Sequence, residues 1–104
     1  MNAALYILLA LGKETRHGYA IMRDIREATS GRVEILPGTL YATIKTLLAD
    51  GMIQEVPPPR DADSADARRR YYRVTHAGRA AAAAQTEQMA MLVKLGRPFL
   101  KGAR

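Results

Sequence analysis

A dense cluster of basic and aromatic side chains lies in the second half of the chain. Four arginines and two tyrosines stand within six residues: Arg68, Arg69, Arg70, Tyr71, Tyr72 and Arg73. Guanidinium groups bind phosphate through paired hydrogen bonds, and arginine also fits a narrow DNA minor groove. Like charges this close repel one another, so the cluster is costly unless a polyanion lies nearby. A solvated strand face is the alternative, but the pattern favours a nucleic-acid contact. We predict four of these residues as DNA contacts: Arg68, Arg69, Arg70 and Tyr72.

A second candidate surface lies on a segment with helical spacing between Pro37 and Asp50. Its apolar side chains fall on one side of the predicted helix: Leu40, Ile44, Leu47 and Leu48. The predicted contacts are on the other side, with Tyr41 at the edge of the apolar stripe: Gly38, Thr39, Tyr41, Ala42, Lys45 and Thr46. Tyr41 could be a core residue with a polar tip, its hydroxyl could reach a phosphate, or both. Small residues let a helix approach a groove, threonine contacts phosphate or a thymine methyl, and lysine reaches phosphate or guanine. An ordinary solvated helix face is the alternative for this segment.

The composition excludes several other kinds of site. The 104 residues include no cysteine, so disulfides and thiolate zinc sites are ruled out. The only imidazoles are those of His17 and His76, and neither stands in a sequence cluster typical of metal ligands or of a catalytic nucleophile. We therefore predict no metal, no cofactor and no enzymatic activity. His17 is more typical of a local hydrogen-bonding or packing residue at a helix start than of a proton switch.

Charge and hydropathy restrict the partners. The net charge of +6 favours an anionic partner. The apolar run from Ala3 to Leu11 is too short to span a bilayer, and no basic residue precedes it as in a signal peptide. We therefore expect a cytoplasmic protein that does not bind a membrane.

The remaining pattern predicts the elements that hold these surfaces. Three helices and then two strands are expected over residues 2–11, 17–29, 37–50, 52–56 and 69–74, with a polar connection between the first two helices. A mobile loop tip is expected over 60–67. A last helix, capped by Thr75, is expected over 76–97 and to end before Pro98. The predicted fold class is mainly α with a small β-hairpin, the order of a winged helix-turn-helix followed by a C-terminal dimerisation helix.

Residues 1–75 would form the winged helix DNA-binding domain, and residues 76–104 the dimerisation helix with a basic tail. The first helix is apolar on nearly every face and the last is apolar in its second half, so a second subunit would supply the missing cover. The predicted dimerisation residues are Leu5, Leu8, Met89, Leu92, Val93 and Leu95. An adaptable, methionine-lined ligand surface is the alternative.

Four segments, in order, resemble the PadR family, named for the phenolic acid decarboxylase repressor. They are His17–Tyr19, Gly38–Tyr41, Leu47–Ile53 and Arg70–Gly78. The resemblance implies a winged helix-turn-helix, a dimer held by the last helix, and repression from an inverted-repeat operator. It also implies DNA contacts from Tyr41 and its neighbours and from the arginines before Tyr71. Ala42 stands where the family often has proline. A single C-terminal helix is typical of its smaller members.

The sequence thus predicts a regulator that binds double-stranded DNA sequence-specifically as a homodimer, with repression the expected outcome. A small-molecule effector could release it from its operator. The alternative is a protein-interaction module whose basic hairpin binds an acidic partner without specific DNA binding. A small-molecule carrier with a methionine-lined interface is a third hypothesis.

Overall fold

The computed structural model describes residues 2–102, which form four α-helices and a three-stranded sheet. The helices are α1 (Ala3–Ala10), α2 (Gly18–Ala28), α3 (Pro37–Ala49) and α4 (His76–Gly102). The strands are β1 (Arg16–His17), β2 (Ile53–Val56) and β3 (Tyr71–Val74), and a 3-10 turn (Asp66–Arg68) lies between the last two. This order confirms the predicted winged helix-turn-helix with an additional C-terminal helix. The segment from β2 to β3 is the wing.

The hydrophobic core lies between α1, α2, α3 and the sheet. Ile7, Leu11, Ile21 and Leu40 are fully buried at its centre. Burial of an aliphatic side chain of this size contributes about 1.5–3 kcal/mol. The helix α1 can be apolar on nearly every face because α2, α3 and α4 all contact it.

This burial changes the interpretation of two predicted interface residues. Leu5 and Leu8 are only 3% and 4% exposed within a single subunit. They have almost no surface left to bury against a second copy. The structure therefore places both residues in the core of the subunit rather than on a surface open to a partner.

The sheet contains one strand that the sequence did not reveal. Its order is β1-β3-β2, with both pairings antiparallel. Arg16 pairs with Tyr72, and His17 pairs with Tyr71. The predicted polar connection between α1 and α2 thus ends in a short strand, and this strand joins the start of α2 to the wing.

The turns on either side of the wing follow known rules of helix ends. Gly51 has φ +72°, the left-handed conformation that a glycine just past a helix adopts without strain. The Met52 N–H donates to the Leu47 carbonyl at 2.9 Å and directs the chain into β2. In the segment expected as a mobile tip, Asp63 Oδ1 accepts from the Asp66 N–H at 2.8 Å and so begins the 3-10 turn.

The helix α4 begins as predicted and ends later than predicted. Thr75 caps it, because its Oγ1 accepts from the Gly78 N–H at 3.1 Å. The helix does not stop before Pro98 but continues through it to Gly102. Proline cannot donate to the Lys94 carbonyl, but both residues are exposed, so water can replace the missing hydrogen bond.

The length of α4 gives the molecule its elongated shape, with principal extents of 52 × 27 × 25 Å. Its 27 residues span about 40 Å at 1.5 Å per residue. Residues 103 and 104, the end of the predicted dimerisation segment, lie outside the described residues. Within residues 2–102, none of the helices combines the length and apolar character needed to cross a membrane.

Candidate nucleic-acid interface

The outer side of α3 is a continuous exposed strip. Its buried side consists of Leu40, Ile44 and Leu47, which hold the helix on the core. The residues predicted on the other side are all exposed: Gly38, Thr39, Tyr41, Ala42, Lys45 and Thr46. Helical spacing alone accounts for this separation, because residues three and four apart share a face.

This strip carries small and polar side chains that keep free hydrogen-bonding groups and charge. The Thr46 hydroxyl donates to the Ala42 carbonyl at 3.3 Å, which leaves its methyl group and an oxygen lone pair for a ligand. Within residues 2–102, Lys45 forms no ion pair, so its charge is available to an external anion. Leu36 offers no side-chain cap at the start of α3, so the first-turn amides face outward.

The wing arginines stand beside this strip. Arg68, Arg69 and Arg70 are exposed on the segment that leads into β3. The Arg69 Nε lies 3.3 Å from Asp66 Oδ1, and its guanidinium carbon lies 5.5 Å from the centre of the Tyr19 ring. Arg73 lies on β3 and donates to Gln54 Oε1 across the sheet at 2.7 Å. The first three arginines therefore form the outward basic edge of the wing.

The two wing tyrosines are structural. Tyr72, which the sequence predicted as a DNA contact, is only 3% exposed and belongs to the core. Burial raises the pKa of its phenol, and nearby Glu55 adds to this effect. Tyr71 is also buried, and its ring meets the edge of the His17 ring at a centroid distance of 5.3 Å. Consecutive residues of a strand face opposite sides of the sheet, and each ring is covered on its own side. Tyr72 packs into the core and Tyr71 packs against His17, so neither ring forms the outer surface of the wing.

A groove of about 340 Å³ separates α3 from the wing. It is lined by His17, Gly18, Tyr19, Tyr41, Arg69, Arg70 and Tyr72. At Gly18 the Tyr41 ring packs directly on the backbone, because a Cβ there would lie 2.9 Å from the Tyr41 hydroxyl. The absence of a side chain at Gly18 thus lets the Tyr41 ring reach from α3 to the backbone at the start of α2.

Tyr19 lines the candidate interface, although the sequence analysis did not assign it. Its ring is exposed and lies beneath the Arg69 guanidinium. A cation over an aromatic face is attracted by the ring quadrupole, which helps to fix the position of Arg69. The available signal was an aromatic residue at the exposed start of a helix, and this alone did not identify its distant partner.

His17 connects α2 to the wing in its neutral form. Its Nδ1 accepts from the Ala20 N–H at 3.1 Å and caps α2, and its Nε2 lies 4.0 Å from Asp66 Oδ1. Burial lowers the pKa of His17 below 6.5, and the positive charge of Arg69 lowers it further, while Asp66 opposes this shift. Among residues 2–102, His, Asp and Glu side chains do not gather in the groups of three or more that could hold a metal ion.

Comparison with known proteins gives a consistent result. A sequence model of the transcriptional regulator PadR-like family matches residues 7–84. The chain is 27% identical to a transcriptional regulator from Clostridium thermocellum, with a TM-score of 0.76 over 93% of this chain and 88% of that one. It is 26% identical to a PadR family transcription regulator from Clostridium difficile, with a TM-score of 0.76 over 96% of this chain and 99% of that one. RosR of H. salinarum is 27% identical, with a TM-score of 0.65 over 86% of this chain and 73% of that one. No curated protein matches the chain.

Proposed function

The chain belongs to the PadR-like family of transcriptional regulators, and on this premise we propose that it binds an inverted-repeat operator as a homodimer and represses transcription. One observation carries the DNA-binding part of this proposal. The exposed strip of α3 and the arginines of the wing form adjoining parts of one surface, joined by the groove that Tyr41 and Arg69 line. A helix with small and polar side chains fits the major groove, and a basic wing beside it fits the flanking backbone.

The roles on this surface follow from reach and charge. Thr39, Lys45 and Thr46 would contact bases or phosphates in the major groove, and Ala42 would let α3 approach closely. Arg68, Arg69 and Arg70 would neutralise phosphates on either side. Phosphate contacts fix register, whereas base contacts supply sequence specificity. The proposal therefore assigns specificity to α3 and most of the affinity to the wing.

The dimer is supported by the pattern of α4. Residues on one side of this helix alternate in steps of four and three, which is the spacing of a coiled-coil seam: Gly78, Ala82, Gln85, Met89, Leu92, Gly96 and Phe99. The first part of the seam lies against its own subunit. Gly78 is buried, Ala82 packs on the core, and Gln85 Oε1 accepts from Asn2 Nδ2 at 2.8 Å.

The second part of the seam has no cover within the subunit. Met89, Leu92 and Phe99 are 47%, 66% and 81% exposed. Val93 and Leu95 flank this seam on its two sides and are also exposed. A series of exposed large apolar side chains marks an interaction surface. We assign it to a second copy of the chain, which would place two recognition helices about one DNA turn apart, roughly 34 Å.

Repression would follow from occupation of promoter DNA in the cytoplasm, without any catalytic step. A small molecule that releases the operator would act where the α4 helices meet the DNA-binding domains. Binding there would change the distance between the two α3 helices.

The decisive experiment selects tight binders from a random pool of duplexes and titrates the selected duplex across salt. We expect a palindromic sequence whose half-sites are about one helical turn apart, bound with strong salt dependence. Equal, weak binding to every duplex would overturn the proposal and turn attention to acidic protein partners.

Two variants separate the roles of α3 and the wing on the selected duplex. Lys45→Ala is expected to reduce discrimination against altered half-sites by about 1–3 kcal/mol if Lys45 reads a base. Arg70→Ala is expected to weaken binding to all sequences alike and to reduce the salt slope by about 0.9, the value for one phosphate. Arg97→Ala removes the same charge from α4 outside the interface and serves as the control. A slope unchanged by Arg70→Ala would remove this arginine from the DNA contact.

A further inference from the structure

Asp66 occupies an unexpected place for an acidic residue, because it stands among the basic side chains of the proposed DNA surface. Its backbone is fixed by two local hydrogen bonds, from its N–H to Asp63 Oδ1 at 2.8 Å and from the Arg69 N–H to its carbonyl at 3.1 Å. Its carboxylate lies 3.3 Å from Arg69 Nε and 4.0 Å from His17 Nε2. The carboxylate therefore stands between the wing and the start of α2.

The contact with Arg69 leaves part of the guanidinium available. Asp66 engages the Nε side, and the face of the guanidinium lies over the Tyr19 ring. An arginine carries five N–H donors in a rigid fork, so the two terminal nitrogens keep their donors for another acceptor. Arg69 lines the groove beside Tyr41, where a phosphate of bound DNA would lie next to the α3 strip.

We propose that Asp66 is a positioning residue that, together with Tyr19, holds Arg69 ready to bind one backbone phosphate through its terminal nitrogens. The proposal rests on the proposed function, since it names how one phosphate contact of that surface is prepared. A long arginine side chain loses rotamer freedom when it binds, and fixing it in advance reduces this loss. Asp66 and Arg69 are 42% and 43% exposed, so the gain is that of a surface pair rather than of a buried one.

If Asp66 positions Arg69, removing its charge should affect DNA affinity differently from removing another acidic charge of the wing. Removal of any acidic residue from the wing should strengthen DNA binding through charge alone. Asp61 is the matched control, because it is an exposed aspartate in the same loop and forms no ion pair within residues 2–102. Asp61→Ala is expected to strengthen binding to a short duplex of mixed sequence. Asp66→Ala removes the same charge but is expected to bind about two- to fivefold more weakly than Asp61→Ala, the range for a surface ion pair.

A double-mutant cycle with Arg69→Ala tests whether the effect passes through Arg69. If Asp66 acts by positioning, the difference between Asp66→Ala and Asp61→Ala disappears in the Arg69→Ala background. If Asp66 merely maintains the fold of the loop, the difference persists, because Arg68 and Arg70 would also be displaced. Persistence of the difference, or equal effects of the two aspartate substitutions in the original background, would overturn the proposal.

A measurement without DNA distinguishes failure of this proposal from failure of the proposed function. The Arg69 side chain should show restricted motion by NMR relaxation in the unsubstituted chain and in Asp61→Ala, and should become more mobile in Asp66→Ala. A fully mobile Arg69 side chain in the unsubstituted chain would overturn the positioning role directly. A restrained Arg69 together with no binding to any duplex would overturn the proposed function, and the phosphate contact with it.

Discussion

At the scale of single residues, His17 contributes as a hydrogen-bond acceptor rather than as a charge. Its Nδ1 caps α2 by accepting from the Ala20 N–H, which requires an unprotonated nitrogen. Protonation would remove this acceptor and place a positive charge near Arg69. Burial and Arg69 both lower the pKa of His17 below 6.5 and so keep the capping form at neutral pH.

This capping role predicts a pH dependence of stability. Between the lowered pKa of folded His17 and its ordinary value of 6.5, the unfolded chain binds more protons than the folded chain. The contribution of His17 is therefore complete above about pH 6.5 and is lost as the pH falls through the folded pKa. We expect His17→Ala to lower the free energy of unfolding by about 1 kcal/mol at pH 7, as for loss of a helix N-cap.

The measurement is urea unfolding at several pH values between 5 and 7.5. His17→Asn is the matched control, because asparagine is a good N-cap that does not titrate. The free energy of unfolding should fall more steeply with decreasing pH in the unsubstituted chain than in His17→Asn. Identical pH dependence of the two proteins would contradict the capping role.

Residue positions on α3 were predictable, and those on the wing were only partly so. Helical spacing separates Leu40 from Lys45 without any knowledge of the rest of the chain. Tyr72 was assigned to the surface because it stands among arginines, but its side chain belongs to the core. The strand β3 lies between β2 and β1, and local sequence contains no signal for its pairing with β1, more than fifty residues earlier.

At the scale of elements, one junction joins the wing to both neighbouring helices. The Thr75 N–H donates to the Met52 carbonyl at 3.0 Å, and the Thr75 hydroxyl donates to the Gly51 carbonyl at 2.6 Å while capping α4. Gly78 then packs directly on this junction. A Cβ at Gly78 would collide with the Met52 carbonyl oxygen and would lie 2.8 Å from Val74 Cγ2.

The close packing at this junction predicts a large effect of one methyl group. Gly78→Ala is expected to lower the free energy of unfolding by about 1–3 kcal/mol, because the Met52 backbone, just before β2, must move to admit the methyl group. Alanine would otherwise favour the helix by up to about 1 kcal/mol, so the sign is opposite to that of helix propensity. Gly102→Ala, in the same helix with open space around it, is the control and should cause little change in urea unfolding. Equal stability of the two variants would show that the junction is looser than described.

The strand β1 and the true end of α4 were missed for different physical reasons. The strand β1 has two residues and no alternating pattern, so it exists only through its pairing with β3. Pro98 predicted a helix end because proline removes a hydrogen bond, but an exposed carbonyl loses little when water replaces the bond. The caps at Thr75 and Gly51 were predictable because each depends on side chains or φ values within a few residues.

At the scale of the whole molecule, α4 has two halves with different surroundings. The first half completes the core of its own subunit, whereas the second extends beyond the domain with its apolar seam uncovered. The seam runs through both halves without a break in spacing. The same pattern that packs Ala82 on its own subunit leaves Leu92 and Phe99 exposed, where the second subunit of the proposed dimer would contact them.

The proposed dimer gives a prediction that links assembly to DNA binding. Leu92→Glu places a charge in the exposed seam, where a second α4 would have to desolvate it. We expect this variant to be monomeric by sedimentation at micromolar concentration. It should bind the operator at least about a hundredfold more weakly, since the contact with a single half-site remains.

Met91→Glu introduces the same group one position earlier, on the other side of α4, and should remain dimeric with nearly unchanged operator affinity. Thermal unfolding should change little in either variant at low protein concentration, because both positions are exposed in the subunit. A dimeric Leu92→Glu protein would exclude this seam as the interface, whereas a monomer with full operator affinity would separate DNA binding from dimerisation.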